Sequence, residues 1–472
     1  MNRQCKVILS VMLVMMVLVS SAWAEFYNRA PDVLPGTLPE MRNPSYWINR
    51  AKNSDEVVMS VDEIHRMNEA YRKWVQSPDP FKGVSEERMP ELTYWWPGIV
   101  MMVPDLHKLD SRAVADTLRK RIGDEIEYLR SREFGNPLAV RYSDREIDGF
   151  EKEMALDRVK DTLSIRDGIA VRTTRLRNVP SFYPIEPGLW ENAKTRWELW
   201  TVAVLKTGKP VTVLHRSRTG EHVFVLCEVG YGWVSAEDIA FGRAEQIENF
   251  VNPEHFVVCT GDRVPFYSDK SCMYASGFFR MGDRLPIDSQ REPRKVNVPV
   301  RKVTGEFTTE TAWLTENADV HVGWLPYTRR NIILTAFKLL DNTYDWTGAW
   351  FGRQHETTYR DIFACFGFDL PYHGALFSFY GDDDTVIDPS VGKEEQYRII
   401  LQHEPFLTLQ GVGTHFQLLI GEYNGEPIVF DQHGYGYSDE DGTELEVRRC
   451  CVGDLRMPSY FLKRKIVFLE LK

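Results

Sequence analysis

The residues with the greatest chemical capacity fall in the last third of the chain. Gln354-His355-Glu356 stands just before a helical pattern near Thr357 to Phe366, Thr414-His415-Phe416 heads an apolar run, and Asp431-Gln432-His433 follows an Asn424-Gly425 turn. Imidazole titrates near neutrality, so it serves as general base or metal ligand, and a carboxylate beside it orients the ring. If His355, Glu356, His415 and either Asp431 or His433 converge, the set suits zinc or another transition metal. No His-x-x-x-His pair or similar motif supports that reading, so neither a metal nor a cofactor is expected. The cysteines offer no alternative by spacing. No pair has zinc-finger separation, and the adjacent Cys450 and Cys451 suit neither a local bridge nor a metal site. Cys259 and Cys272 are the candidates for a bridge across a hairpin.

These residues must be positioned by a large scaffold. At 472 residues the chain exceeds one ordinary core, and two to four domains are expected. Arg3 and Lys6, the apolar run Val7 to Val19 and Ala22-Trp23-Ala24 form the tripartite pattern of a secretory signal. The run is shorter than the ~20 residues a membrane span needs, so a soluble exported protein is expected. Loss of Arg3 and Lys6 moves the formal charge from −11 to −13, and Cys5 leaves with them, so seven cysteines become six. A net acidic chain without a basic tract argues against nucleic acid as partner.

Residues 25–165 read as helical, beginning with an arm punctuated by Pro31, Pro35, Pro39 and Pro44. Ser60 and Glu63 form a capping box before Ile64, Met67, Tyr71 and Trp74 at helical spacing. Helical pattern returns at Ala113 to Leu129 and Asp144 to Leu163. From about Ile169 short strands with turn residues between them predict two small barrels, over 166–248 and 249–325. Each closes on a Gly-Trp-apolar strand, at Gly232-Trp233-Val234 and Gly323-Trp324-Leu325. Residues 326–472 place helices before antiparallel strands, an α+β order.

Tyr344-Asp345-Trp346-Thr347-Gly348, Arg360-Asp361-Ile362-Phe363, Phe366-Gly367, Leu370-Pro371 and Thr414-His415-Phe416 together resemble the NlpC/p60 group of papain-like cell-wall peptidases. The Leu325-Pro326-Tyr327-Thr328 junction, the paired barrels and the helical arm resemble the subgroup with two bacterial SH3-like domains. The resemblance implies a multi-domain α+β fold with a signal peptide (1–24), a helical wrapping region, two SH3-like barrels and a C-terminal papain-like domain. It also implies a cysteine at the start of the active helix, where the helix N-terminus lowers the thiol pKa. That position falls on His355, and the Asp-Cys-Ser triplet of the family is here Gln354-His355-Glu356. Two glycines of the preceding loop are also replaced.

His415 takes the general-base position by resemblance, and Asp431 the position that orients it. A strict two-residue turn would instead turn Gln432 toward His415, a bulge would restore Asp431, and His433 is the outside candidate. Tyr344, Trp346, Gln354 and Glu356 fall at substrate-contacting positions. Cys365, ten residues beyond His355, is roughly 15 Å along a helix axis and too far to replace the nucleophile. The expectation is a catalytically silent relative in the periplasm or cell envelope that binds peptidoglycan stem peptides or regulates partner hydrolases. The alternatives are an active endopeptidase cutting γ-D-glutamyl-diamino acid bonds and a purely structural envelope protein.

Overall fold

The computed structural model describes residues 30–75, 77, 111–131, 134–135, 141–182, 186–187, 198, 200–348, 350–381, 385–433, 436–438, 444–457 and 460–472. The expected signal peptide lies outside the described residues. None of the described helices is long and apolar enough to cross a membrane.

The arm does not form a core of its own. Met41, Trp47, Ile48 and Ile64 are buried in the same apolar cluster as Phe363, Phe416 and Phe430 of the C-terminal region. Val57–Met59 pairs antiparallel with Tyr327–Thr328, which ties the arm to the start of that region. The expected helix runs Val61–Val75, with the Glu63 carboxylate accepting the Ser60 N–H at 2.7 Å. The helices Ser111–Ser131 and Asp144–Met154 belong elsewhere: Leu118, Ile122 and Met154 pack against Trp200, Phe224 and Trp233 of the first barrel. The second of these is shorter than its sequence pattern, because Ala155 takes a left-handed φ of 50° and ends it.

The first barrel is a seven-stranded antiparallel sheet from Arg166–Ala170 to Ile239–Phe241. The second divides into sheets of three and four strands between Phe256–Cys259 and Val320–Val322. Its last strand stops before Trp324, whose ring instead stacks edge-on against Phe256 and lies 3.3 Å from where a Gly367 side chain would begin. Cys259 and Cys272 are both free thiols, so the hairpin bridge is not formed.

The C-terminal region packs the helices Arg329–Phe337 and His355–Ala364 on a six-stranded antiparallel sheet. Thr408–Val412, His415–Tyr423, Glu426–His433 and Arg449–Asp454 are neighbours in it. Tyr359, Ile362 and Phe363 face that sheet and are fully buried. Full burial of side chains this size stabilises by about 1.5–3 kcal/mol each, which fixes the helix against the strand that carries His415.

Candidate active-site remnant

His355 is the first residue of its helix. The turn into it is built by Asp345, whose Oδ2 accepts the N–H groups of Trp350 at 2.8 Å and Gly352 at 2.9 Å. Gly348 allows this loop to approach the first barrel: with φ of +75°, a side chain there would meet Val204 at 2.4 Å. Thr357 Oγ1 accepts the Gln354 N–H at 3.0 Å and seals the first turn.

The opposite wall depends on a bulge. From the Asn424-Gly425 turn the strands pair Tyr423 with Glu426 and Gly421 with Ile428, then slip so that Leu419 faces Val429 and Leu418 faces Phe430. Continued, that register sets Asp431 across from Gln417 and His433 across from His415. A bulge adds one residue to one strand and so inverts which side chains share a face. Asp431, not Gln432, therefore turns to His415. Gln432 points away and donates to the Asn342 carbonyl at 3.1 Å. Gly421 sits in the bulge with φ of +152°, and a side chain there would meet the Trp47 ring of the arm at 2.8 Å.

His415 Nε2 lies 2.9 Å from Asp431 Oδ2, which also accepts from Gln417 Nε2 at 3.0 Å. His433 Nδ1 approaches the same oxygen at 3.8 Å. Burial alone would raise the Asp431 pKa, but the imidazoles and Gln417 outweigh it and hold the carboxyl below its ordinary value. The His355 and His415 rings are 4.5 Å apart between centroids, and Tyr344 stacks on the far side of His355 at 6.2 Å. His355 Nε2 is 2.9 Å from Glu356 Oε2. Burial disfavours charge on His355, yet the Glu356 carboxylate beside it and Asp431 beyond outweigh this and raise its pKa. Burial pushes His433 the other way, to about 3.

The structure thus brings His355, Glu356, Tyr344, His415 and Asp431 together, with His433 beside them. Gln354 instead lines a small cavity of about 20 Å³, room for about one water, between this region and the first barrel, bounded also by Lys206, Glu228, Arg360 and Tyr372. Trp346 is half-buried on the approach loop. Gln417 and Tyr359, whose hydroxyl donates to the Phe430 carbonyl at 2.9 Å and lies 3.5 Å from Asp431 Oδ1, were not anticipated. Strand alternation from His415 would have found Gln417.

Among the described residues no cysteine lies at the start of the His355–Ala364 helix. Cys365 closes the helix, fully buried, its thiol donating to the Cys259 carbonyl at 3.4 Å, and burial pushes its pKa up to about 12. Cys450 and Cys451 pair across from Gln432 and Asp431, both fully buried with raised pKa values, and Cys451 Sγ packs on Met457 Sδ at 3.5 Å. Among the described residues no hydrogen bond joins a thiol to His415.

Comparison with known proteins agrees with this architecture. A family model for an SH3 domain of the SH3b1 type matches residues 191–235. The fold is similar to that of an NlpC/P60 endopeptidase from Photobacterium damselae subsp. piscicida, with a TM-score of 0.70, 16% identity, and coverage of 94% of this chain and 100% of that one. An NlpC/P60 family protein from Bacillus cereus ATCC 10987 aligns with a TM-score of 0.43 and 18% identity over 65% of this chain and 99% of that one. A search of curated proteins gave no match. The chain is a multi-domain α+β protein with an SH3b domain and the fold of NlpC/p60 proteins.

Proposed function

We propose that this chain is an exported, catalytically silent NlpC/p60-type protein that binds peptidoglycan stem peptides. One observation carries the reading: an imidazole, His355, stands at the helix N-terminus facing the base, and no thiol is near it. Thiol proteolysis needs a thiolate that attacks a carbonyl and later leaves as a good leaving group. The remnant is also closed: His355, Glu356 and His415 are only 8%, 6% and 5% exposed. Gly374 packs so tightly over Glu356 and the Thr414 carbonyl that a side chain there would lie 2.7 and 2.3 Å from them. Peptide contact then falls to the junction where Gln354 and Arg360 meet Lys206 and Glu228 of the first barrel, whose cavity of about 20 Å³ must widen to admit a peptide. The domain division at 166, 249 and 326 is part of the same proposal, as is export by residues 1–24.

The test is to supply L-Ala-γ-D-Glu-diamino acid peptides to the purified mature chain. Saturable binding without cleavage is expected. Cleavage would overturn silence, and absence of binding would overturn the peptide-binding role in favour of a structural one. The intact His415–Asp431 pair favours a second reading, an endopeptidase cutting γ-D-glutamyl-diamino acid bonds, in which case cleavage appears without any substitution. Replacing Gln354→Asp, His355→Cys and Glu356→Ser together separates decay of the nucleophile alone from decay of the whole site.

A further inference from the structure

We propose that His415, Asp431 and His433 form a buried binding site for a divalent transition metal of the zinc class. The sequence argument against a metal rested on the absence of two histidines one helical turn apart. The structure supplies the donors from adjacent strands instead, with the His415 and His433 rings 5.4 Å apart between centroids beyond the bulge.

The donor geometry fits. One atom from each of the three residues lies within 4.8 Å of the others, with His415 Nε2 at 2.9 Å and His433 Nδ1 at 3.8 Å from Asp431 Oδ2. A tetrahedral ion with bonds of roughly 2.0–2.1 Å holds its donors roughly 3.3 Å apart, between those two values. Two imidazole nitrogens and one carboxylate oxygen are a donor set that zinc prefers over magnesium or calcium.

The surroundings fit as well. His433 Nε2 faces the Gly436 carbonyl at 3.4 Å, and a carbonyl only accepts, so this contact is a hydrogen bond in the tautomer that carries its proton on Nε2. In that tautomer the lone pair of Nδ1 is turned toward Asp431, the orientation a metal ligand needs. A ligand histidine whose other nitrogen donates to a carbonyl is the usual outer arrangement of metal sites. Gln417 holds Asp431 from one side, and Tyr359 lies against its second oxygen. His433 and Asp431 are fully buried, so the ion would be enclosed as the Asn424-Gly425 hairpin closes. The inference is independent of peptide binding and adds a reason for silence, since a metal on His415 removes the base.

The experiment is to strip the full mature chain with chelator, then add Co2+ both to the folded protein and during refolding from urea. The result expected is one Co2+ per chain, with the intense visible bands of tetrahedral cobalt. These should be lost in His433→Gln and in Asp431→Asn and kept in His355→Ala. Absence of bands by both routes, bands unchanged in the two ligand variants, or loss in His355→Ala would each overturn the assignment. Folding of the variants is checked by circular dichroism. If they do not fold, the wild-type Tm decides: a rise with Zn2+ but not Mg2+ supports the site, and no rise overturns it.

Discussion

The two ends of the His355–Ala364 helix handle buried charge in opposite ways. Toward its C-terminal half, Asp361 is enclosed by Lys206 Nζ at 2.5 Å from the first barrel, Arg280 at 3.9 Å from the second, and Arg353 Nε at 2.7 Å from the approach loop. Arg353 also pairs with Asp262, and Lys206 reaches Asp283 at 3.3 Å. Burial would raise the Asp361 pKa, but Lys206, Arg353 and Arg280 outweigh it and pull it well down. At the N-terminal end His355 Nε2 and Glu356 Oε2 are 2.9 Å apart, and among the described residues His355 Nδ1 and Glu356 Oε2 make no hydrogen bond of good geometry. Buried polar groups are ordinarily paired because each unpaired one costs roughly 1–3 kcal/mol. One end is a joint between domains, built for stability. The other holds a close His355–Glu356 pair with fewer partners around it.

The largest effect expected separates these roles. Asp361→Ala leaves Lys206, Arg280 and Arg353 without their shared anion, and breaking a buried ion pair costs about 3–5 kcal/mol. The loss should appear as a lower urea midpoint together with greater protease sensitivity at the barrel junctions. A midpoint unchanged by the substitution would mean that the joint contributes nothing, and the contrast between the two ends would collapse.

Next is the bulge on which the site end depends. Gly421→Val forces a branched side chain onto a φ of +152° and into the Trp47 ring. Overpacking of this kind costs about 1–3 kcal/mol. The arm should lift first, seen as a shift in tryptophan emission and earlier proteolysis near Pro39 and Pro44. Intact packing of the arm in this variant would show that the bulge is not held by Trp47.

That coupling marks where the sequence stopped being informative. The strands and the Ser60 capping box were legible because apolar period and capping residues are local, whereas the helix was legible only from near Thr357 and its start at His355 came from the family resemblance. The choice among Asp431, Gln432 and His433 was not, because one inserted residue inverts the face, and that insertion packs against Trp47, far away in the chain. The arm and the helices after it looked alike in sequence, but their apolar faces join different cores, which only tertiary packing decides. The ion joint was invisible for the same reason: Lys206, Arg280, Arg353 and Asp361 lie on separate segments with no shared motif.

The buried titrating groups should also answer differently to pH in metal-free protein. His433 is held near 3 and His222 near 4, both first by burial, against about 6.5 unfolded. The unfolded chain therefore binds more protons below pH 6.5. Their contribution is complete above that pH and is lost as pH falls, at up to about 1.4 kcal/mol per unit for each group. His355, with its pKa raised, contributes in the opposite sense: its stabilisation is present below 6.5 and is lost as pH rises through its folded value. Asp361, held low, keeps its contribution above the ordinary aspartate value and loses it only below. Urea midpoints measured with chelator should decline between pH 6.5 and 4, and His433→Gln should flatten that decline. An equal slope in both proteins would place the acid sensitivity elsewhere.

The smallest effect probes whether the site end is retained at a cost. Replacing both His355→Leu and Glu356→Leu removes two poorly satisfied polar groups and returns apolar volume to a buried position. Exchanges of buried charged pairs for packed apolar residues range from neutral to stabilising, and about 1 kcal/mol of added stability is expected here. The same exchange at Asp361 is expected to destabilise, because three cations would remain. If the leucine pair instead lowers the midpoint by more than about 1 kcal/mol, His355 and Glu356 are well-paired structural residues like those of the joint. The helix would then have two structural ends, and peptide or metal would have to be sought away from its N-terminus.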